Sequence, residues 1–304
     1  MIRVWLVCSL LFMALEADRQ DSIPLEEDME KIENAITKEQ VQNWLEGRIG
    51  LKPHKVNYIL PFGYRRGEYK SYTPEAQYKQ AEAELQVSLK LNVGNNLLGL
   101  HEAYYASYSH QSFWQLYTDS SPFRETNYNP EIFVAFPVED ESLLGLRSIT
   151  FGYSHLSNGQ GNIENVVDTN LTGIPAELHK YVVNRSRSVN SLYGDFRIQH
   201  GSLVTDLRLW MPFTANGDLS DNPDLLDYTG FSSLKFRYFY GKSLYTLSGR
   251  MSFTTAKGAL EGGYSYPIKE DLFLYIKLFS GYGESLIDYN NYITKASIGF
   301  SFSR

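Results

Sequence analysis

From Asn57 to the C-terminus, apolar and polar residues alternate with a period of two. In "AELQVSLKLNV", Ala83, Leu85, Val87, Leu89, Leu91 and Val93 share one parity, and Glu84, Gln86, Ser88, Lys90 and Asn92 share the other. "SSLKFRYFYG" repeats the pattern with Leu234, Phe236, Tyr238 and Tyr240 against Lys235 and Arg237. "SLYTLSGRMSF" sets Tyr245, Leu247, Met251 and Phe253 against Thr246, Ser248 and Arg250. Near the C-terminus Tyr292, Ile298, Phe300 and Phe302 share parity. Successive side chains of a strand point to opposite faces, so this period predicts strands with one apolar and one polar face. About twelve such segments occur, most near the roughly ten residues that a tilted strand needs to cross a bilayer.

The connections alternate as well. Long polar stretches at 65–81, 118–128, 158–185 and 213–227 are separated by short ones at 94–97, 139–145, 200–202, 241–243 and 268–271. Long loops at one rim and tight turns at the other are the asymmetry of an outer-membrane barrel. A soluble sandwich also alternates, but has less reason for such regular long and short connections. The expected fold is all-β, a transmembrane antiparallel β-barrel of about twelve strands in the bacterial outer membrane.

Composition refines this picture at three points. Val4 to Leu15 is a continuous apolar run with Arg3 before it and small residues at Ala14 and Ala17. At about twelve residues it is too short to span a bilayer as a helix and suits a signal peptide over 1–17. The single cysteine, Cys8, lies in that run, so the mature chain is expected to hold neither a disulfide nor a cysteine metal site. The stretch 18–54 includes a charged, weakly helical part, Glu26 to Gly50, and reads as a periplasmic tail or small helix ahead of a barrel domain at 55–304. The net charge of -7 argues against a nucleic-acid partner, which calls for a basic surface.

The aromatic and charged residues also fit a barrel. Twenty-three tyrosines and 17 phenylalanines can form interfacial girdles. Glu84, Asp195, Arg197, Asp206, Arg208, Arg237, Arg250, Glu261 and Lys277 fall on polar-face positions with both signs interspersed. Charges that pair across a narrow lumen predict a plugged barrel and disfavour a diffusion porin.

Chemistry concentrates at one place. Leu146–Ser157 is the fifth predicted strand, and with a periplasmic N-terminus it runs outward. Ile149, Phe151, Tyr153, His155 and Ser157 share a parity whose apolar members mark the lipid side. Asn190 opens the next strand in parity with Leu192, Phe196 and Ile198, so it also faces lipid. A histidine, a serine and an asparagine thus converge on the exterior at the outer boundary, where polar side chains are unusual.

These residues carry a resemblance. "YSHLSNG" (Tyr153–Gly159) followed by "SRSVNSLY" (Ser186–Tyr193) resembles the signature of outer-membrane phospholipase A, and "WQLYTDSSPFRETNY" (Trp114–Tyr128) and "SGYGESLIDYN" (Ser280–Asn290) are similar to the same family. The similarity runs from about Asn57 to the C-terminus. It implies a twelve-stranded barrel that hydrolyses acyl esters of glycerophospholipids (A1, A2 and lysophospholipase activity) as a calcium-activated homodimer. Position by position, it implies Ser157 as nucleophile, His155 as base and Asn190 as the residue that orients the imidazole. It further implies Gly159 N–H at the oxyanion, and a Ca²⁺ held by the Ser186 hydroxyl and Gln160 carbonyl of one subunit and the Ser120 carbonyl of the other. Oxygen ligands of this kind suit a hard cation.

The chain departs from that family at Gln160, where an arginine is familiar, at Val189, where a tryptophan is, and in a longer Gly161–Arg185 segment. His54, His101, His110, His179 and His200 have no comparable partner spacing and read as structural or solvated, with His110 a candidate for a subunit interface. No phosphate-binding glycine loop, zinc spacing or basic–aromatic patch appears. The alternative to an esterase is a non-enzymatic barrel, either a narrow channel or a structural or adhesive surface protein.

Overall fold

The structure is a computed structural model that describes residues 37, 50–66, 78–138, 145–162, 184–212, 219 and 221–304. The expected signal peptide with Cys8, the Glu26–Gly50 helix apart from Thr37 and Gly50, His179 and most of the long 161–185 segment lie outside the described residues. The chain divides into two compact units, 1–51 and 52–304, and the second contains the barrel.

Twelve long strands form it: β2 (Tyr58–Arg66), β3 (Ala81–Asn95), β4 (Ala103–Trp114), β5 (Phe123–Pro137), β6 (Leu146–Ser157), β7 (Ser188–His200), β8 (Leu203–Pro212), β9 (Ser232–Tyr240), β10 (Ser243–Met251), β11 (Gly258–Lys269), β12 (Leu272–Gly281) and β13 (Ile293–Ser301). A short strand, β1 (Leu51–Pro53), precedes them. Each barrel strand pairs antiparallel with the next, and β13 pairs with β2. The twelve long strands therefore close into a barrel, as a structure that crosses a membrane with strands requires. None of the described helices is long and apolar enough to cross a membrane, and the strands do the crossing.

The connections alternate between rims. One rim carries 67–80, 115–122, 158–187, 213–231, 252–257 and 282–292; the other carries 96–102, 138–145, 201–202, 241–242 and 270–271. Two differences from the sequence pattern stand out. Residues 123–128 belong to β5, because Arg124, Glu125 and Asn127 look polar yet point into the lumen and are buried. The 282–292 connection was not signalled by a polar run, since Leu286, Ile287 and Tyr289 are apolar and buried.

The two faces divide as the alternation predicts. Val87, Leu91, Val93, Phe151, Leu192, Leu209, Met211, Tyr245, Leu247, Leu278 and Ile298 are exposed on the exterior, where lipid would cover them. The lumen holds charge. Arg197 Nε donates to Asp206 Oδ1 at 2.7 Å, Arg208 Nε to Asp195 Oδ1 at 2.7 Å, and Arg237 pairs with the same Asp206. Lys277 Nζ donates to Glu84 Oε1 at 2.6 Å and lies 3.6 Å from Glu261 Oε2, while Arg250 Nη2 donates to the Gly283 carbonyl at 2.6 Å.

Nearer the long-loop rim the pairing becomes a plug. Arg124 donates to Glu82 and Asp288, and Lys295 donates to Glu82 and Glu84 while sitting 3.0 Å from Glu284. These side chains are almost fully shielded from solvent. Burial lifts the Glu284 carboxyl above the usual carboxylate range, against the pull of Lys295. Beside this network lies an apolar cluster of Val189, Leu225 and Tyr289, with Leu156, Trp210, Leu219 and Tyr228 packed on it. Leu225 comes from a single-turn helix, α1 (Leu225–Thr229), which stops at Gly230 with φ +62°; a Cβ there would collide with the Met251 carbonyl oxygen.

Candidate active site

Strands β6 and β7 bring the predicted catalytic residues together. Their ladder sets His155 opposite Asn190 and Ser157 opposite Ser188. His155 and Asn190 side chains lie on the exterior face, flanked by the exposed Phe151 and Leu192. His155 Nδ1 lies 2.8 Å from Asn190 Oδ1. An amide oxygen only accepts, so Nδ1 carries a proton, and in the neutral imidazole Nε2 is then the nitrogen with the free lone pair. The Tyr153 hydroxyl donates to the same Oδ1 at 2.7 Å, which holds the asparagine as well. Among the described residues no hydrogen bond joins Ser157 Oγ to His155, although the two share a face two positions apart. Catalytic hydrogen bonds are often long before substrate binds.

The lumen side of the same strands is packed. Leu156 and Val189 alternate with His155, Ser157 and Asn190 and contribute to the apolar cluster. Val189 is therefore a packing residue behind the site, and the departure at that position alters a wall and not the reacting groups.

Beyond Ser157 the chain turns sharply. Asn158 is buried and clamps both ends of the long connection. Its N–H donates to Arg187 O at 3.0 Å, its Nδ2 donates to Arg185 O at 2.9 Å, and its Oδ1 accepts from the N–H groups of Arg187 and Gln160. Gly159 has φ +63°, and a Cβ there would lie 2.9 Å from the Tyr128 ring. Glycine both allows the left-handed turn and lets the backbone settle on that ring.

The residues expected to hold calcium fall in three places. Gln160 follows the Gly159 turn. The Ser186 hydroxyl donates to Asp221 Oδ2 at 3.0 Å, and the Ser188 hydroxyl does the same at 3.0 Å. Ser120 sits at the tip of 115–122 with φ +60°, and among the described residues it makes no hydrogen bond to the others. Asp221 and Asn158 are the residues that sequence reasoning missed. Asp221 lay inside a polar loop far along the chain, and only its closure onto the start of β7 links it to Ser186. "SNG" next to the predicted strand end was the available signal for Asn158.

Hydroxyl, carbonyl and carboxylate oxygens are the donor set of a hard divalent cation. Among the described residues no group of three or more His, Cys, Asp or Glu surrounds a common point, and Asp221 is the carboxylate that Ser186 and Ser188 share. The residues present thus fit a Ca²⁺ whose shell is completed from elsewhere.

A closed twelve-stranded barrel with an apolar exterior and polar groups aimed at lipid defines an outer-membrane barrel with polar chemistry on its lipid side. The model of the phospholipase A1 family matches residues 32–165 and 182–302. Phospholipase A1 of Escherichia coli is 33% identical over 256 residues, covering 82% of this chain and 80% of that protein. The chain belongs to the phospholipase A1 family, and it is an outer-membrane protein. Among solved structures, the Salmonella typhi outer membrane phospholipase dimer with bound calcium aligns at TM-score 0.73 and 31% identity, covering 84% of this chain and 93% of that one. An Escherichia coli outer membrane phospholipase A active-site mutant, in which an asparagine is replaced by alanine, aligns at TM-score 0.72, 31% identity and the same coverage.

Proposed function

We propose that this phospholipase hydrolyses the acyl esters of glycerophospholipids and lysophospholipids at both acyl positions, using Ser157, His155 and Asn190 on the lipid-facing exterior, with calcium and as a homodimer. The observation that carries this reading is the His155 Nδ1–Asn190 Oδ1 hydrogen bond on the lipid side of the wall. It leaves Nε2 free to take the Ser157 proton as Oγ attacks an ester carbonyl. His155 then returns the proton to the leaving alkoxide, which leaves an acyl ester on Ser157; water, deprotonated by the same nitrogen, attacks that ester, and the fatty acid departs as His155 returns the proton to the Ser157 oxygen. The active-site asparagine of the Escherichia coli relative supports the role given to Asn190.

Asparagine is uncharged and cannot balance an imidazolium as aspartate does. Positive charge beside the developing oxyanion is what a bound calcium supplies. The Ser186 hydroxyl, the Gln160 carbonyl and the Asp221 carboxylate would hold it from one side, and the partner subunit's Ser120 carbonyl from the other. The Gly159 N–H is the backbone donor in reach of the same oxyanion. The calcium-bound dimer of the Salmonella typhi relative supports a shared ion. The lumen plug speaks against the channel alternative.

The test is ester release from micellar phospholipid with calcium and with chelator, beside ion conductance in a planar bilayer. Release that requires calcium, without conductance, is expected; conductance without release overturns the proposal. Asn190→Ala is expected to lower kcat by roughly 10²-fold, and His155→Ala by about 10⁴-fold, because one orients the base and the other is the base. Equal, small effects in kinetics of the two folded variants would remove Asn190 from this role. Ser186→Ala is expected to raise the calcium concentration needed for activity and for crosslinked dimer together, by about tenfold. Titrating crosslinking in detergent micelles with calcium measures both. Full activity from a species that stays monomeric at saturating calcium would end the shared-site scheme.

A further inference from the structure

Strand β5 carries a proline in its middle, beside the catalytic strand. The β5–β6 ladder keeps one register from Tyr128↔Ser157 to Glu131↔Ser154, which sets Pro130 opposite His155. Across the other edge of β6, Asn158 donates its N–H to Arg187 O, which continues the β6–β7 register. In an antiparallel ladder, residues that exchange backbone bonds alternate with residues that do not. Asn158 bonds toward β7, so His155, at the other parity, turns its N–H and C=O toward β5. Any other residue at position 130 would donate an N–H to the His155 carbonyl. Proline has none to give.

The missing donor comes from the neighbouring side chain. Asn129 Nδ2 donates to His155 O at 2.9 Å and to Ser154 Oγ at 2.7 Å. The other end of the amide is fixed too, since Lys55 Nζ donates to Asn129 Oδ1 at 2.6 Å. Lys55 is in turn held by Glu131 at 2.9 Å, and its N–H donates to Ser88 Oγ at 3.1 Å. A lysine ammonium only donates and a peptide carbonyl only accepts, so a single orientation of the Asn129 amide satisfies both.

We infer that Asn129 is a positioning residue for hydrolysis: its amide replaces the ladder bond that Pro130 deletes and holds the main chain of His155, with Lys55 locking the amide in place. This rests on the reading of His155 as the base. The consequence follows from geometry. The imidazole hangs from a backbone tied by Asn129 on one side and by the Asn190 contact on the other. Displacement of a reacting group by about 1 Å can cost about 10²-fold in rate. Asn129 points into the lumen and touches neither substrate nor the imidazole, so nothing in the catalytic motifs marks it.

The experiment compares Asn129→Ala, Asn129→Asp, the double variant Asn129→Ala/Pro130→Ala and His155→Ala as reference. Folding of each is checked by heat-modifiable gel mobility, and kcat and KM are measured on micellar phospholipid at saturating calcium. Asn129→Ala is expected to lower kcat about tenfold with KM nearly unchanged. Asn129→Asp keeps the shape and the Lys55 partner but has no N–H for the His155 carbonyl, and is expected to be similarly slow. Adding Pro130→Ala returns a backbone N–H to the ladder and is expected to recover most of the lost kcat, a rescue that a merely structural role does not predict. Full kcat in folded Asn129→Asp or Asn129→Ala overturns the inference, and so does a folded double variant as slow as Asn129→Ala. Should Asn129→Ala fail to fold, Asn129→Asp decides alone. A fully active His155→Ala protein would instead overturn the base assignment, which keeps the two failures apart.

Discussion

Replacing Ser157 with alanine is expected to remove ester hydrolysis, by about 10⁴-fold or more in kcat, while the barrel stays folded. Both halves of the expectation come from the surroundings of Ser157. It is the hydroxyl on the same face as His155, two residues along, at the strand end where a lipid ester can reach it. Its pairing with Ser188 and Tyr128 is a strand register carried by main-chain atoms. Among the described residues its Oγ makes no hydrogen bond, so the substitution strands no partner. Release of fatty acid from micellar phospholipid measures activity, and heat-modifiable mobility in gels measures the barrel. A folded Ser157→Ala protein with ordinary activity would falsify the serine mechanism.

The largest loss of stability is expected from Arg124→Ala, about 3–5 kcal/mol. The guanidinium is fully buried; Nε donates to Glu82 Oε2 at 3.0 Å, Nη1 donates to Asp288 Oδ2 at 2.5 Å, and the group lies 4.9 Å from the centre of the Phe113 ring. After the change Glu82 retains Lys295 at 2.8 Å, and Asp288 has Arg65 at 3.8 Å. Removing one member of a buried charge network is costly because the charges that remain lose compensation where water cannot replace it, whatever the net worth of the intact network. Urea unfolding in detergent, read by tryptophan fluorescence, is the measurement. An unchanged midpoint would show that the plug is hydrated enough to screen its own charges. Because Asp288 belongs to the 282–292 connection, the same variant is expected to loosen that segment first.

Most of the barrel was legible because a membrane enforces the alternation. A strand between lipid and a polar lumen must change character at every residue, so parity alone placed His155, Ser157 and Asn190 outside and Glu84, Asp206 and Arg250 inside. The register that sets His155 against Asn190 was not legible, since it depends on how the long connection closes, and Asn158 performs that closure. Arg124 and Glu125 read as loop residues in the sequence because charge next to a turn suggests solvent exposure, whereas here it marks the plug. Leu286 and Ile287 misled in the opposite sense: their apolar character serves an inward fold of a loop. Asp221 was invisible for a simpler reason. Its partners Ser186 and Ser188 are more than thirty residues away, and no local pattern ties an acid in a loop to a hydroxyl at a strand start.

If hydrolysis occurs at the His155–Asn190 pair as proposed, its exterior position also decides what kind of concentration the enzyme responds to. With the proposed site there, substrate would arrive sideways, by diffusion within the plane of a lipid film. Turnover on mixed micelles would then track the mole fraction of phospholipid in the surface and stay constant when the whole suspension is diluted at fixed composition. Detergent that is no substrate would slow the reaction simply by occupying area, and two barrels would find each other by the same two-dimensional search that brings each of them its lipid.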